Sequence, residues 1–539
     1  MQQYKPWHIS YWSQTWQQLP AADKNRFGVL LLIHFILSFL FIQKQGILFD
    51  ESDYYSYAYQ WLKGSPMRSS PIMDSKTPMM IVSFIPVLLK SFFRTDILQH
   101  DLFFFLKLGR PFMYIYQALG MYTMLCWLRK INNNKWFLTL LLYAFDPLIF
   151  SYGMIVGSDL AGTAILISLM YCAWRFVNTN QTRYFLLVST FTAFGVVTKA
   201  SMLYCYPLLL LLFFLQYKKL HFAAMKKLGG FLLFVFIQLI VINLSWYFTG
   251  TFTRFGSYHF ESAALQKLQH SFSFLSSLPL LLPSPFIQGI DMLQHHAEIG
   301  GCLPESTYRG VWLFNKVWCN QSVWFYYIAT ALYKLPLFTW LLVVIAIAQF
   351  ILVKLRANVL KQKLFIWLPF VYFLLILSLT NKFQIGIRHA IILLPFLFLM
   401  ISSAANSYYE KKRNFFYTAF ALHCISIGFF IPNLIAYTNE LILNKTNAYR
   451  IIRDSSIDYG QSRPWINNFI SKHPEYKQPT NIPDTGKFII AIGDLYAEHE
   501  GEKKNIAWLR NNFNATASYR YSLLLFEVSE KDLADRKLR

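Results

Sequence analysis

The sequence predicts a mainly α fold, a polytopic bundle of about 11 transmembrane helices with outside interfacial helices and a small C-terminal α/β domain. Three observations predict it. The chain has 539 residues, 55% hydrophobic and 18% aromatic but only 14% charged, where soluble domains carry about 25% charge. Uncharged apolar runs of roughly 18 or more residues recur, which is what crossing a bilayer demands; "LGGFLLFVFIQLIVINLSWYFTGTFT", between Lys227 and Arg254, is one. The loops between these runs alternate in basic content.

The elements follow in order. Residues 1–26 are polar, lack the pattern of a cleavable signal and precede a full-length span, so they read as a cytoplasmic tail. Spans are expected at 27–43, 110–128, 136–150, 160–176, 184–199, 202–217, 229–247, 337–354, 364–380, 388–405 and 415–436, which makes 27–436 the transmembrane part. One set of loops holds Arg129/Lys130/Lys135, Arg175/Arg183, Lys218/Lys219/Lys226/Lys227, Lys354/Arg356/Lys361/Lys363 and Lys411/Lys412/Arg413. The other set has no Lys or Arg from 151 to 159 and only Lys199 at the next turn. Basic loops face the cytoplasm, which predicts a multi-pass inner-membrane protein with its N-terminus inside. Loops 44–109 and 248–336 and the segment 437–539 then lie outside.

The run "PMMIVSFIPVLLKSFF" at 78–93 has about a dozen apolar residues before Lys90, too few to span. Counting it as a crossing would also invert every later loop, so it is expected to be an interfacial or re-entrant helix. Parts of 255–320, broken by "LPLLLPSP", read the same way. From Asn439 on the chain turns polar. There "GKFIIAIGDLYA" and "YRYSLLLFEV" predict strands and "KKNIAWLRNNF" a helix, together a small outside unit.

A net charge of +23 fits basic cytoplasmic loops, and nothing resembles a nucleic-acid module, so no nucleic-acid partner is expected; membrane lipids are. Cys126, Cys172, Cys205 and Cys424 sit in apolar runs as small core residues. Cys302 and Cys319 share one extramembrane segment and are the pair that could form a disulfide in an oxidising compartment.

The chemistry concentrates after the first span, in "ILFDESDYYSYAYQWLKGSPMRSSPIMDSKTPMM" (47–80). Asp50 and Glu51 abut a hydrophobic boundary, where desolvation raises a carboxylate's pKa and suits it to act as a base. A solvated loop pair is the bland alternative. The aromatic helix "YYSYAYQWL", with Tyr54 and Tyr57, suits stacking on sugar faces or lying at the interface. Asp159, in "MIVGSDLAG", stands at an outer mouth, either as a helix cap or as a functional acid. Asp146, in "YAFDPLIF", is either functional or part of a kink at Pro147. Lys199, Lys334 and Arg388 fall at outer ends of spans. Singly each could snorkel to headgroups; together with the acids they predict a site for an anionic group, of which a lipid phosphate is the obvious candidate.

At these residues the chain resembles the polytopic GT-C glycosyltransferases that use polyprenyl-phosphate sugars, whose best-known members are the protein O-mannosyltransferases and the aminoarabinose transferases of lipid A. The acidic pair Asp50-Glu51 is similar to the family's opening of the first outside loop, and "SKTP" to its basic/His-Pro-Pro segment, with Thr77 in place of the first proline. "LPSPFIQGIDMLQHHAEIGG…YRG…WFYYIATALYKLPL", "NKFQIGIRHAIILLPFLFL" and "DSSIDYGQ" are similar to three further family stretches in the same order, the last of which reads Asp-Ser-x-x-Asp-Trp-Gly-Gln.

The resemblance implies a sugar donor on a polyprenyl phosphate, its tail in a groove between spans, and an acceptor that is a protein, lipid or glycan hydroxyl. It implies Asp50 as general base in one inverting displacement, with Glu51 and Asp159 orienting hydroxyls. Arg388, with Lys199, Lys334 and Lys76, would hold the donor phosphate. Tyr54, Tyr57, Tyr308 and His389 would line the substrate. No metal site is expected, since His295 and His296 read as decoration of a polar loop; the cofactor stays unknown, and a divalent metal ion, discussed for some relatives, is not required by any ligand set here.

Two other classes compete. A transporter or flippase of lipid-linked sugars predicts charges buried mid-span and a pseudo-repeat between halves, and neither is present in the sequence. A glycan polymerase or ligase would explain outside cations but not the acidic pair.

Overall fold

The computed structural model describes residues 16, 19–67, 77–93, 102–132, 136–220, 224–271, 273–299, 310–352, 363–431, 433–496 and 506–538. Lys76, Tyr308 and Cys302 lie outside these residues. The chain is predominantly helical, and each expected span contains helix among the described residues. By length and apolarity, however, four helices among the described residues can each cross a bilayer: Ala21–Ile42, Ser158–Thr179, Leu228–Ser245 and Ile387–Ser407. The pair Tyr326–Lys334 and Leu337–Ile351 is apolar enough when taken together but bent by 120°, the shape of a broken span or of a re-entrant loop.

Local chemistry explains why the other expected spans come out short or broken. The span expected at 136–150 is cut in two, Phe137–Ala144 and Pro147–Ser151, because Asp146 accepts hydrogen bonds from the amides of Leu148 (3.0 Å) and Ile149 (3.4 Å) and Pro147 opens the second piece. Asp146 is therefore a helix cap at a kink. The last span ends at Gly428, earlier than the expected 436.

Packing separates a lipid-facing shell from a protein core. The helices Ala21–Ile42 and Ala224–Ser245 leave Leu32, Leu40, Leu228, Phe231 and Phe236 exposed, an apolar surface that only a lipid solvent tolerates at this extent. Ser158–Thr179 is buried on all sides and is the central helix. It packs against Tyr114–Asn132 and Thr182–Thr198. Ala161, Gly162 and Ala164 let neighbours approach closely, and Thr123 Oγ1 and Ser168 Oγ close a 2.9 Å hydrogen bond within the core.

The run at 78–93 forms a short 3-10 turn, Thr77–Phe84, and a helix, Ile85–Phe93. It contacts the helix Phe49–Leu62, which carries the acidic pair.

Residues 311–318 form a hairpin of β1 (Val311–Leu313) and β2 (Lys316–Trp318). Near the C-terminus β3 (Tyr476–Lys477), β4 (Gly486–Ala491), β5 (Ala517–Tyr519) and β6 (Leu523–Val528) make a four-stranded sheet in the order β3-β4-β6-β5, parallel only between β3 and β4. Helix Arg463–Ile470 covers one face, where Trp465, Ile466 and Phe469 meet Ile489 and Leu525. Phe488, Ile490, Leu524 and Phe526 pack on the other side with Trp508 and Leu509 of the helix Ala507–Asn512. Burial on both faces explains the unbroken apolar run of β6. The expected first strand is shorter than read, since Ile492–Tyr496 turns helical.

Cys126, Cys172, Cys205 and Cys424 are free; the first three are buried as expected of core residues, but Cys424 is exposed on its helix and is not a core residue. Cys319 is disulfide-bonded. His295 and His296 lie on the helix Ser284–Ile299 rather than on a loop.

Candidate active site

The helix Phe49–Leu62 begins where the first span ends. Its start is fixed by Glu51, whose Oε2 accepts from the amide of Leu48 at 2.9 Å. Its Oε1 accepts from the amide of Val156 at 3.0 Å and from Arg110 Nε at 2.9 Å, and Arg110 Nη2 pairs with Oε2. Arg110 also donates to the carbonyl of Gly46 at 2.7 Å. Both side chains are fully buried.

Both oxygens of Glu51 are committed to these partners, and the residue ties the start of the acidic helix to Arg110 and to the loop before the central helix. Arg110→Ala would strand a buried carboxylate, a loss on the order of 3–5 kcal/mol. The expected outcome is a marked drop in the melting temperature of the detergent-solubilised protein, and an unchanged melting temperature would contradict this reading.

Asp50, the neighbouring acid, points elsewhere. Its Oδ2 lies 2.7 Å from Arg388 Nη1. The same guanidinium nitrogen is 3.8 Å from Asp159 Oδ2, and Asp159 Oδ1 receives Lys199 Nζ at 2.6 Å. Four residues that the sequence singled out, separated by up to 338 positions, thus form one chain of alternating charge. The cap of the central helix is Gly157, and no side chain caps it. Asp159 is accordingly an ion-pair member rather than a cap. Lys199 ends the helix Thr182–Thr198 and spends its charge on Asp159. His389 is half-buried beside these groups, close enough to Asp159 to interact with it electrostatically.

Arg388 is held from behind by backbone geometry. It follows Gly386, whose φ of 102° is reserved in practice for glycine. A Cβ there would stand 2.3 Å from Ser455 Oγ. The Gly386 amide donates to the Tyr326 hydroxyl at 2.7 Å and the Ile387 amide to Ser456 Oγ at 3.0 Å.

A residue that the sequence reading did not name completes the cluster. Tyr459, within "DSSIDYGQ", stacks its ring on the Arg388 guanidinium at 4.3 Å. Its hydroxyl accepts from Arg388 Nη1. Burial, against the opposing pull of Arg388, keeps this phenol well above its ordinary pKa and so protonated. The segment is docked on both sides of the site: the Phe49 amide donates to the Tyr459 carbonyl at 3.1 Å and the Gly46 amide to the Gln461 carbonyl at 2.9 Å. Asp458 anchors it from below, accepting from the Gly493 amide at 2.9 Å and from Ser462 Oγ at 3.1 Å.

A small cavity of about 20 Å³ lies here, bounded by Asp50, Tyr54, Tyr152, Asp159, Arg388 and Tyr459 among others. Between the helices Tyr326–Lys334, Leu337–Leu352, Leu364–Leu379 and Leu394–Lys411 runs an apolar cavity of about 850 Å³. Ile387 and Ala390, on either side of Arg388 in the chain, line it.

Two expected residues are not brought to this place. Lys334 is wholly buried and gives its ammonium to the carbonyls of Ile435 (2.7 Å) and Ser456 (2.6 Å). Its ammonium is thus turned to backbone carbonyls and away from the Asp50–Arg388 cluster. Tyr57 is buried under Trp246, whose Nε1 donates to its hydroxyl at 3.3 Å, while that hydroxyl donates to the Pro66 carbonyl; it packs and does not face substrate. Lys76 and Tyr308 lie outside the described residues. Among the described residues, no group of three or more His, Cys, Asp or Glu is placed to hold a metal ion.

No curated protein and no solved structure matches the chain. Residues 109–246, which include Asp159 and Lys199, match the family model of the dolichyl-phosphate-mannose-protein mannosyltransferases. Together with the apolar helices, that match supports a membrane glycosyltransferase of the GT-C type.

Proposed function

We propose that the protein moves a sugar from a polyprenyl-phosphate donor to an acceptor hydroxyl, at the outer face of the membrane, by one inverting displacement. The observation that carries this reading is the contact between Asp50 and Arg388 at 2.7 Å, a base and an anion-holding cation in one pocket. The apolar cavity lined by Ile387 and Ala390, next to Arg388 in the chain, supports a lipid donor: its size is within the range of ligand sites, and an isoprenoid tail needs such a lining.

Asp50 accepts the proton of the acceptor hydroxyl. The hydroxyl oxygen forms its bond to the anomeric carbon as the bond from that carbon to the phosphate oxygen breaks, and the electron pair leaves on the lipid phosphate. Arg388 stabilises the second negative charge that develops there. Asp159 and Lys199 hold Arg388 in place and balance its charge. Tyr54, on the wall of the cavity, and His389 are proposed to contact the sugar or the acceptor. A cavity of about 20 Å³ admits roughly one water, so donor entry separates Asp50 from Arg388, with the phosphate taking the place of the carboxylate.

The test is to incubate the purified protein with a panel of polyprenyl-phosphate sugars. Consumption of one, with release of polyprenyl phosphate, is expected; transport of lipid-linked sugar across proteoliposomes without consumption would favour a flippase instead. The orientation is tested separately. A cysteine at Asn511, which is exposed, is expected to react with an impermeant thiol reagent on intact cells, and labelling only after permeabilisation would overturn the outside placement of the C-terminus.

A further inference from the structure

The apolar cavity of about 850 Å³ carries a polar feature that a hydrocarbon tail does not explain. Tyr327 lines it together with Ile387 and Ala390. Only 1% of Tyr327 is exposed, and its hydroxyl forms no hydrogen bond with any described residue. Asn381 stands near the phenol, but its Oδ1 accepts from the Phe383 amide at 2.8 Å and no bond to Tyr327 is formed.

The neighbouring residue fixes its placement. The hydroxyl of Tyr326 accepts from the Gly386 amide at 2.7 Å, which ties the helix Tyr326–Lys334 to the turn that carries Arg388. The rings of Tyr326 and Tyr327 meet edge to face with centroids 5.2 Å apart, so Tyr327 is held near the same turn. Its phenol is close enough to Arg388 and Asp159 to interact with both electrostatically.

A buried hydroxyl without a partner is costly and needs an explanation wherever it occurs. Packing does not supply one, since phenylalanine would fill the same space without that cost. Gln349, Lys363 and Ser403 also line the cavity, but they are half-buried or exposed. Lys363 stands at the opposite end of the helix Leu364–Leu379 from the Gly386 turn, about 24 Å along its axis. An occupant with an apolar body and an oxygen-bearing head at the Tyr327 end matches this lining; a plain hydrocarbon does not.

We infer that Tyr327 is a donor-binding residue, its hydroxyl giving a hydrogen bond to a phosphate oxygen of the lipid donor at the end of the cavity lined by Ile387 and Ala390. The inference rests on the polyprenyl-phosphate reading and deepens it by fixing where tail ends and head group begins. As the bond from the anomeric carbon to the phosphate oxygen breaks, negative charge grows on the phosphate. The Tyr327 hydrogen bond strengthens with that charge, so a neutral donor adds to what Arg388 supplies.

The experiment measures binding of undecaprenyl phosphate and of undecaprenol to the full chain in detergent, wild type and Tyr327→Phe, together with the lipid-free melting temperature. The variant keeps the ring and removes only the hydroxyl. It is expected to bind the phosphate lipid about tenfold more weakly, the worth of one hydrogen bond to a charged group. The alcohol, a neutral acceptor, should lose about threefold or less. The lipid-free melting temperature should hold or rise, because the hydroxyl removed has no partner among the described residues. Unchanged phosphate affinity, an equal loss for both lipids, or a melting temperature lowered by several degrees would each overturn the inference. Failure of the donor reading shows separately, in the wild type: equal affinity for the two lipids there would sink both.

Discussion

Asp50→Asn is expected to lower sugar transfer by about 10²–10⁴-fold, the contribution of a positioned general base, while the protein stays inserted and folded. The substitution keeps the shape of the side chain and an oxygen for Arg388, but an amide cannot take a proton from the acceptor hydroxyl at neutral pH. Its folding cost is small because Asp50 is about one-third exposed and Glu51, not Asp50, ties the helix start to its neighbours. The comparison that sharpens this is Asp50→Glu, which retains the base but moves it. It is expected to recover part of the activity. Full activity in Asp50→Asn would refute the assignment.

Arg388→Ala is expected to cost about 2.7–4 kcal/mol in the transition state, or about 10²–10³-fold in kcat, by analogy with loss of one donor to a developing anion. Donor use should suffer more than acceptor use, since the guanidinium is proposed to meet the phosphate. Removing Arg388 also leaves Asp50 and Asp159 facing each other across a small cavity with Lys199 alone to offset them. Arg388→Lys therefore belongs beside it: charge is kept and the planar fork is lost. Activity in the lysine variant between that of wild type and Ala fits the account. Equal loss for donor and acceptor in Arg388→Ala would argue against a phosphate role.

Much of this site was legible in the chain before its fold. Asp50, Asp159, Lys199 and Arg388 were readable because each is an ionisable residue at the edge of an apolar run, where a solvated loop, a helix cap or snorkelling explains one of them singly but not the four together. The rest depended on contacts that only tertiary packing creates. Glu51 looked like a second functional acid because its partner, Arg110, is 59 positions away and reads as the flank of a span. Lys334 looked like an interfacial cation, but its ammonium is buried against the carbonyls of Ile435 and Ser456, partners 101 and 122 positions on in the chain. Tyr459 carries no charge and sits in a polar stretch, so nothing local distinguished it from any other tyrosine. The signal that could have found it is its place in a motif that resembled a family stretch, with an oxygen-bearing ring where that stretch has an indole.

The fold divides along the same line. Positions of helices followed from apolar runs, whereas their lengths did not, because caps such as Asp146 and turns such as the one at Gly386 cut runs that composition alone leaves continuous. The C-terminal strands were visible from their alternation and their apolar density, but not that residues 454–461 would lie against the acidic helix rather than with the sheet.

Binding of undecaprenyl phosphate compared with undecaprenol is the most direct measurement of the central claim, because the two lipids share a tail and differ only in the group that Arg388 is proposed to hold. Wild-type protein is expected to bind the phosphate at least tenfold more tightly than the alcohol, a preference that Arg388→Ala abolishes while alcohol binding persists in the apolar cavity. Equal affinity of wild-type protein for the two lipids would contradict it.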